Sequence, residues 1–490
     1  MNALQSCTRQ KSIPQKSLIA AVIACLALLL GSLLTACSSG SGAGSMAANP
    51  SPTPAAKTSV QINMGDSPAD WMLAFSMNIT SMSLTGSNGS AAVVSTSVPM
   101  EMMHLMGTME PLAMINAPQG TYTGASITIG SAKVMYMDPT TKALVQATIP
   151  GPKTGTINFS SPITVGSTPM AMGFDLDLAS SVIMGSNGSL SMSPVFHVTS
   201  GTQGSGNPMD FEDGGIQQMM GSVSSVSGSS FTMSSMQAAQ NFTFATNTST
   251  AFDGTSMGSI AGGMGVLVNA TLQPDGSLLA TQVQSMMGSG GVMGGGIITA
   301  LSGSVSSPTS LTMVMQNGAG TGMMSSYFAA GATIDLSGST TYEIDDDGMD
   351  MSGLSFTPAF DGNHIYVGQS VMPISSSGMM SGGTGGGMMG GGMMDGTITA
   401  DKVVLEPQGL TGTAGVSISS GSPTSFTLTL PTQSAFTTLT GATSVTVYQQ
   451  SKTIMSGTSP ITSGTAMHAF GLLFYDGAQW KMVAARVGAN

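Results

Sequence analysis

Apolar side chains recur at every second position through much of this chain. Val60, Ile62 and Met64 alternate with polar neighbours, as do Leu73, Phe75, Met77 and Ile79, then Ile127 and Ile129, and Phe174, Leu176 and Leu178. A period of two puts alternate side chains on one face of an extended backbone, so the spacing predicts half-buried β-strands. Turn signals divide the runs at Ser87-Asn88-Gly89, Asp138-Pro139 and Ser186-Asn187-Gly188. Short strands with regular turns predict a β-sandwich over residues 59–200. The one helix candidate is a short piece near Met100–Met109.

The first 36 residues have the layout of a secretory signal peptide. Arg9, Lys11 and Lys16 form a basic start, and an apolar run from Leu18 to Leu34 follows, broken only by Gly31 and Ser32. The run ends in Leu34-Thr35-Ala36-Cys37, which resembles the lipobox of bacterial lipoproteins. That resemblance implies cleavage before Cys37, acylation of its thiol and new amine with palmitate-type chains, and attachment to a lipid bilayer. The cysteine count agrees with it. Cys7 and Cys25 leave with the leader, so Cys37 has no partner for a disulfide within the chain. Several acyl chains anchor durably where one is marginal. Ser38 follows the cysteine where the inner-membrane retention rule of enteric bacteria favours Asp, which points to the outer membrane. Residues 37–58, rich in Ser, Gly and Pro, read as a flexible tether.

Several short motifs within residues 59–200 look alike to a second bacterial lipoprotein family. Asp66-Ser67-Pro68 follows the first strand, and Met100-Glu101-Met102-Met103-His104-Leu105-Met106 runs on to Leu112 as a leucine-rich stretch with Met in place of Leu. Gln119-Gly120-Thr121-Tyr122 precedes a strand, and Phe174–Leu178 and Ser193–Val198 close the unit. Together they resemble the family catalogued as domain of unknown function 4382.

A polar, Gly-rich linker with Asp210, Glu212 and Asp213 spans residues 201–218, and beyond it the chain repeats. Gly221-Ser222-Val223 recurs as Gly303-Ser304-Val305 and, more weakly, as Gly412-Thr413-Ala414. Asp275-Gly276, Ala280 and Val283 match Asp395-Gly396, Ala400 and Val403 in spacing, and Asp476-Gly477, Ala484 and Val487 form a longer third copy. Asp-Gly suits a tight hairpin turn because the turn needs positive φ. These units, 219–286, 300–406 and 409–488, resemble domain of unknown function 5666, which implies three small OB-like β-barrels. The second holds a Gly/Met-rich insertion at 378–394. The expected fold class is therefore all-β, a sandwich followed by three barrel repeats.

Composition narrows the function. The chain has 490 residues, enough for three or four domains, and is 41% hydrophobic, enough to build their cores. Only 7% of residues are charged, the net charge is −12, and three of the eleven basic residues lie in the leader. No cationic surface remains to replace phosphate counterions, which excludes a nucleic-acid binder. Gly254-Thr255-Ser256-Met257-Gly258 fits the spacing of a nucleophile elbow but lacks the strand–turn–helix setting that exposes such a serine. His104, His197, His364 and His468 are not spaced as a zinc set. No enzyme is expected.

Two metal readings stand against bland alternatives. Met100, Met103, Met106 and Met109, with His104 among them, recur at steps of three. On a helix these thioethers would stack along one side, and soft sulfur selects Cu(I). The competing account is that Met stands in for Leu as a flexible core filler. Asp345, Asp347 and Asp350 lie in an acidic stretch whose oxygens suit Ca²⁺, although their order does not match an EF-hand loop and a solvated acidic turn explains them equally. The Gly/Met insertion reads as low-complexity sequence or a reversible oxidation target. The expected function is a non-catalytic, lipid-anchored envelope protein that binds or supports an unnamed protein or glycan partner. Cu(I) handling and carbohydrate binding are its rivals, the latter weakened by only two tryptophans, Trp71 and Trp480.

Overall fold

The computed structural model describes residues 55–489 except 68, 139, 186–187, 203–210, 212, 236, 286–294, 305–306, 317–331, 347–348, 376–397 and 457–459. Cys37, Asp347 and the Gly/Met insertion lie outside the described residues. What is described is almost entirely strand, as the alternation predicts.

The N-terminal sandwich consists of two sheets. One has four strands in the order Phe196–Thr202, Met170–Asp177, Lys57–Ser67 and Met109–Pro118, with the central pair parallel. The other is six-stranded and is organised by the long pairing of Met72–Gly86 with Gly120–Met137. Val60, Ile62, Met64, Phe174 and Leu176 face Phe75, Ile79, Ile127 and Ile129 in a common core. Burial of these side chains is the main force joining the sheets.

Three barrel-like units follow: the last two are closed five-stranded barrels, and the first is a six-stranded sheet with an additional pairing of Phe242–Ala245 with Leu278–Ser285. In the last, strand one (Gln408–Ala414) pairs antiparallel with strand two (Ser425–Thr429) and strand four (Ala466–Tyr475). Strand three (Ser444–Ser456) runs antiparallel to strand two and parallel to strand five (Trp480–Ala489), which returns antiparallel to strand four. The middle barrel repeats every one of these pairings with Gly296–Ser304, Ser307–Met315, Ala332–Ile344, Ser370–Ile374 and Ile398–Leu405. The first barrel does so with Gly215–Ser227, Ser230–Ser234, a third strand split into Phe242–Ala245 and Ala251–Asp253, Gly265–Leu272 and Leu278–Ser285. A five-stranded ring whose third and fifth strands are parallel is the Greek-key arrangement of an OB-fold.

The repeated motifs have physical reasons. Gly276 (φ +83°) and Gly477 (φ +90°) sit in the turns between strands four and five, the conformation for which Asp-Gly is suited. Gly221 and Gly412 lie on first strands, where a Cβ would come within 2.6 Å of the Ser234 carbonyl oxygen and 2.3 Å of that of Thr429. These are backbone atoms of the second strand, which cannot swing aside. Gly412→Ala is therefore expected to destabilise the chain by about 1–3 kcal/mol through overpacking, read as a lower urea midpoint. An unchanged midpoint would show that the strand pair is loose at this point.

The domains pack closely. Gln61 and Asn63, the polar members of the first alternation, are fully buried because the first barrel covers the sheet's outer face. The Gln61 amide donates to Asn63 Oδ1 (2.9 Å), and Asn63 Nδ2 donates to the Phe211 carbonyl (3.1 Å). Phe211 in turn lies under the Arg486 guanidinium of the third barrel, 4.7 Å from its ring centre. On the third barrel Phe470, Leu472 and Phe474 face outward yet are buried, because they join Ile298, Leu311 and Val403 of the second barrel in one core.

One local expectation is corrected. Met100–Met109 is not a helix: Val98–Glu101 and Met109–Pro118 are strands, joined through a 3₁₀ turn at Met103–Leu105. Pro99 and Gly107 (φ +76°) bracket too few residues for a stable α-helix. The Glu101 carboxylate also accepts the His104 and Phe75 backbone N–H groups, which fixes the turn against the neighbouring strand.

Candidate functional site

The sandwich and all three barrels meet around an internal cleft with a cavity volume of about 100 Å³. The 3₁₀ turn brings Met103, His104 and Met106 to its wall, and the adjoining strand brings Glu110. The first barrel contributes Gln217 and Gln218, the second Gln316 and Ser370, and the junction of the second and third contributes Glu406 and Gln408.

His104 is the centre of its polar wall. Its Nδ1 lies 3.2 Å from Glu101 Oε2 and its Nε2 3.3 Å from Glu110 Oε1, with side-chain exposures of 8%, 0% and 13% for the three residues. Burial alone would discharge the ring. The charges and hydrogen bonds of Glu110 and Glu101 outweigh it and hold the imidazolium up to about 10. Gln237 of the first barrel secures the assembly by accepting the Glu101 N–H at 2.7 Å.

Burial raises the remaining acids of the cleft above their ordinary values. Burial first, then the charge of Asp345, raise Glu406 to about 8 against the pull of His104. Burial raises Asp70 to about 6 despite the hydrogen bonds that Thr411 gives it. Behind the turn, Asp66 is buried in the sandwich with neither carboxylate oxygen hydrogen-bonded. Burial, followed by the charges of Asp175 and Glu101, raises it well above the usual carboxylate range.

Gln217 and Gln218 reach the cleft through an irregularity. The pairing of strands one and four in the first barrel shifts register between Ile216 and Met219, and Gln218 there has φ +51°. Bulges of this kind re-aim side chains. Asn269 Oδ1 accepts the Gln218 N–H (2.6 Å), and the Gln218 amide donates to Asp345 Oδ2. The Gln217 side chain is 8% exposed.

The sequence-predicted ligand sets are divided by the fold. Met100 is buried in the sandwich core at 1% exposure. Met109 lies against Gly65 and Gly173 on the other face of its sheet, while Met106 packs on Gly409. Only Met103, His104 and Met106 share the cleft, and the expected stack of thioethers at steps of three does not form. Both ring nitrogens of His104 are already engaged, Nδ1 by Glu101 and Nε2 by Glu110 and the Gln237 amide. Asp345 bonds Gln218, whereas Asp350 accepts from Ser352 (2.6 Å) and Ser451 (2.5 Å) and is held down to about 2 by them. Among the described residues no group of three or more His, Cys, Asp or Glu side chains is placed to hold a metal.

Other candidates resolve similarly. Ser256 Oγ pairs with Ser259 Oγ (2.5 Å) in the turns after Ala251–Asp253, which is not a nucleophile elbow. Trp480 is 7% exposed within a cluster of Tyr366, Tyr475 and Phe436, and so offers no sugar platform. Sequence reading missed Glu406, Asp70 and Gln217. Glu406 is the last residue of the second repeat, and Gln217-Gln218 falls in what reads as a linker.

The arrangement can bind and can hold protons. Both ring nitrogens of His104 are engaged by carboxylates, so no serine of the wall is paired with it as a nucleophile. Residues 220–284 match a family model described as Domain of unknown function (DUF5666), in close agreement with the first barrel. No curated protein matches the chain.

Proposed function

We propose that this chain is a non-catalytic binding protein of the bacterial cell envelope, held on the outer membrane by acyl chains on Cys37, with its ligand seat in the four-domain cleft. The observation that carries the binding reading is that cleft, where side chains of four domains line one cavity and two of them, Gln217 and Glu406, bond to no described residue. Native interiors rarely leave polar groups unsatisfied, so such a cavity suits a ligand. The signal layout and the Leu34-Thr35-Ala36-Cys37 segment support the anchor. The shared strand pairings of the three barrels support reading the second and third as further copies of the domain matched by the first. The motifs from Asp66 to Val198 support a domain of unknown function 4382 in the sandwich.

Anchoring is tested directly. Cys37→Ser is expected to move the protein from the membrane fraction to the soluble periplasmic or secreted fraction, and mass spectrometry of the wild-type N-terminus is expected to show an acylated Cys37. An unmodified Cys37 in the membrane fraction would reject the anchor and leave the cleft reading intact.

A further inference from the structure

Resting on the binding reading above, we infer that the cleft selects a small amphiphilic cation, an ammonium group on a short apolar body. The wall contains three carboxyl groups, Asp70, Glu110 and Glu406, and no Lys or Arg. Its one cation, His104, is already held between Glu101 and Glu110. An anion entering here would meet acids with no free positive group; a cation would meet the opposite.

Two side chains lack the partners such a guest supplies. The Glu406 carboxyl has no hydrogen bond to any described residue; its backbone N–H alone is bonded, to the Ser370 carbonyl. The Gln217 amide, more than nine-tenths buried, has none either. Gln217 is buried and Glu406 half-buried, and two such polar groups lining one cavity without a bond to a described residue point to an occupant that donates hydrogen bonds. An ammonium does so: it has three N–H donors, which a carboxylate and an amide oxygen accept. The lining also includes the apolar side chains of Met103, Met106, Leu410, Phe436 and Phe470, which suit an alkyl body. His104, Glu110, Asp70 and Asp345 are the other titratable groups around Glu406. A bound cation therefore favours ionisation of Glu406, with its proton passing to solvent.

Calorimetry on the full-length protein in a non-ionic detergent tests this with n-butylammonium, n-butyrate and n-butanol at pH 7. Saturable binding of n-butylammonium is expected, about tenfold or more tighter than either other probe, because only it makes charge-assisted hydrogen bonds. Heats in two buffers of different ionisation enthalpy are expected to differ, reporting proton release. Glu406→Gln and, independently, Gln217→Leu are each expected to weaken n-butylammonium by about tenfold, the equivalent of one such bond. Thermal midpoints of both variants report that they fold, and Glu406→Gln removes a buried acid rather than a packing group. Equal affinity for the three probes, or full affinity in both folded variants, overturns the cation inference and leaves a cleft that binds something else. No binding of any probe to the wild type overturns the inference and the binding reading together.

Discussion

Replacing His104 with leucine is expected to destabilise the folded chain by about 3–5 kcal/mol, the cost of leaving buried charges without their partner. Glu101 and Glu110 approach the ring from opposite sides, and both are largely shielded from water. Without the imidazolium they repel each other across the gap. Glu101 cannot retreat, because its carboxylate also accepts the Phe75 N–H at 2.8 Å and the His104 N–H at 3.0 Å. Urea denaturation of the wild type, His104→Leu, Glu110→Gln and the double variant forms a cycle that isolates the pair. Neutralising Glu110 is expected to cost stability in the wild type and to restore part of it in His104→Leu. If the two changes simply add, the glutamates do not act through the ring and the site is a packing feature.

Stability is also expected to fall as pH rises from about 5 to 9, opposite to the profile of a protein fixed by depressed carboxylates. Glu406 keeps its proton to about 8 in the folded chain against an ordinary 4.5, and Asp70 to about 6 against 3.8. Between those values the fold holds protons that the unfolded chain has released, so raising pH favours unfolding. His104 adds to this: its contribution is complete below 6.5 and is lost as pH climbs through about 10. Asp66, raised by burial, acts in the same direction. Asp350 and Asp476, both held down to about 2, work in the other direction, but their contribution is lost only as pH falls from 3.8 through 2, and both are solvent-screened surface groups. One proton of difference gives a slope of about 1.4 kcal/mol per pH unit, the smallest expected between pH 7 and 8. Urea midpoints measured across this range check it. Glu406→Gln should flatten the segment below pH 8 and leave the fall above it; a flat wild-type profile would refute the protonated interior.

The sequence displays the repeats and the sheet faces because each follows from local chemistry. Alternation at Val60, Ile62 and Met64 marks a core face wherever the strand lies, and Asp-Gly marks a turn that needs positive φ. The failures are tertiary. Gln61 and Asn63 read as solvent-facing, and only the arrival of the first barrel buries them. The steps of three in Met100–Met109 suggest a helix, but the hydrogen bonds of Glu101 and the break at Gly107 decide otherwise. The cleft was illegible for the same reason. Glu110, Gln217 and Glu406 stand far apart in sequence, and none has a neighbour that announces it.

The buried outer strand of the last barrel has a consequence for autonomy. Phe470, Leu472 and Phe474 complete the hydrophobic cluster of the module before them, so that module does not own its full core. A chain ended near residue 405 would expose an oily wall on the piece that remained and be prone to aggregate. A protease nick between the two would leave them clasped, and they would melt in a single cooperative step rather than in sequence.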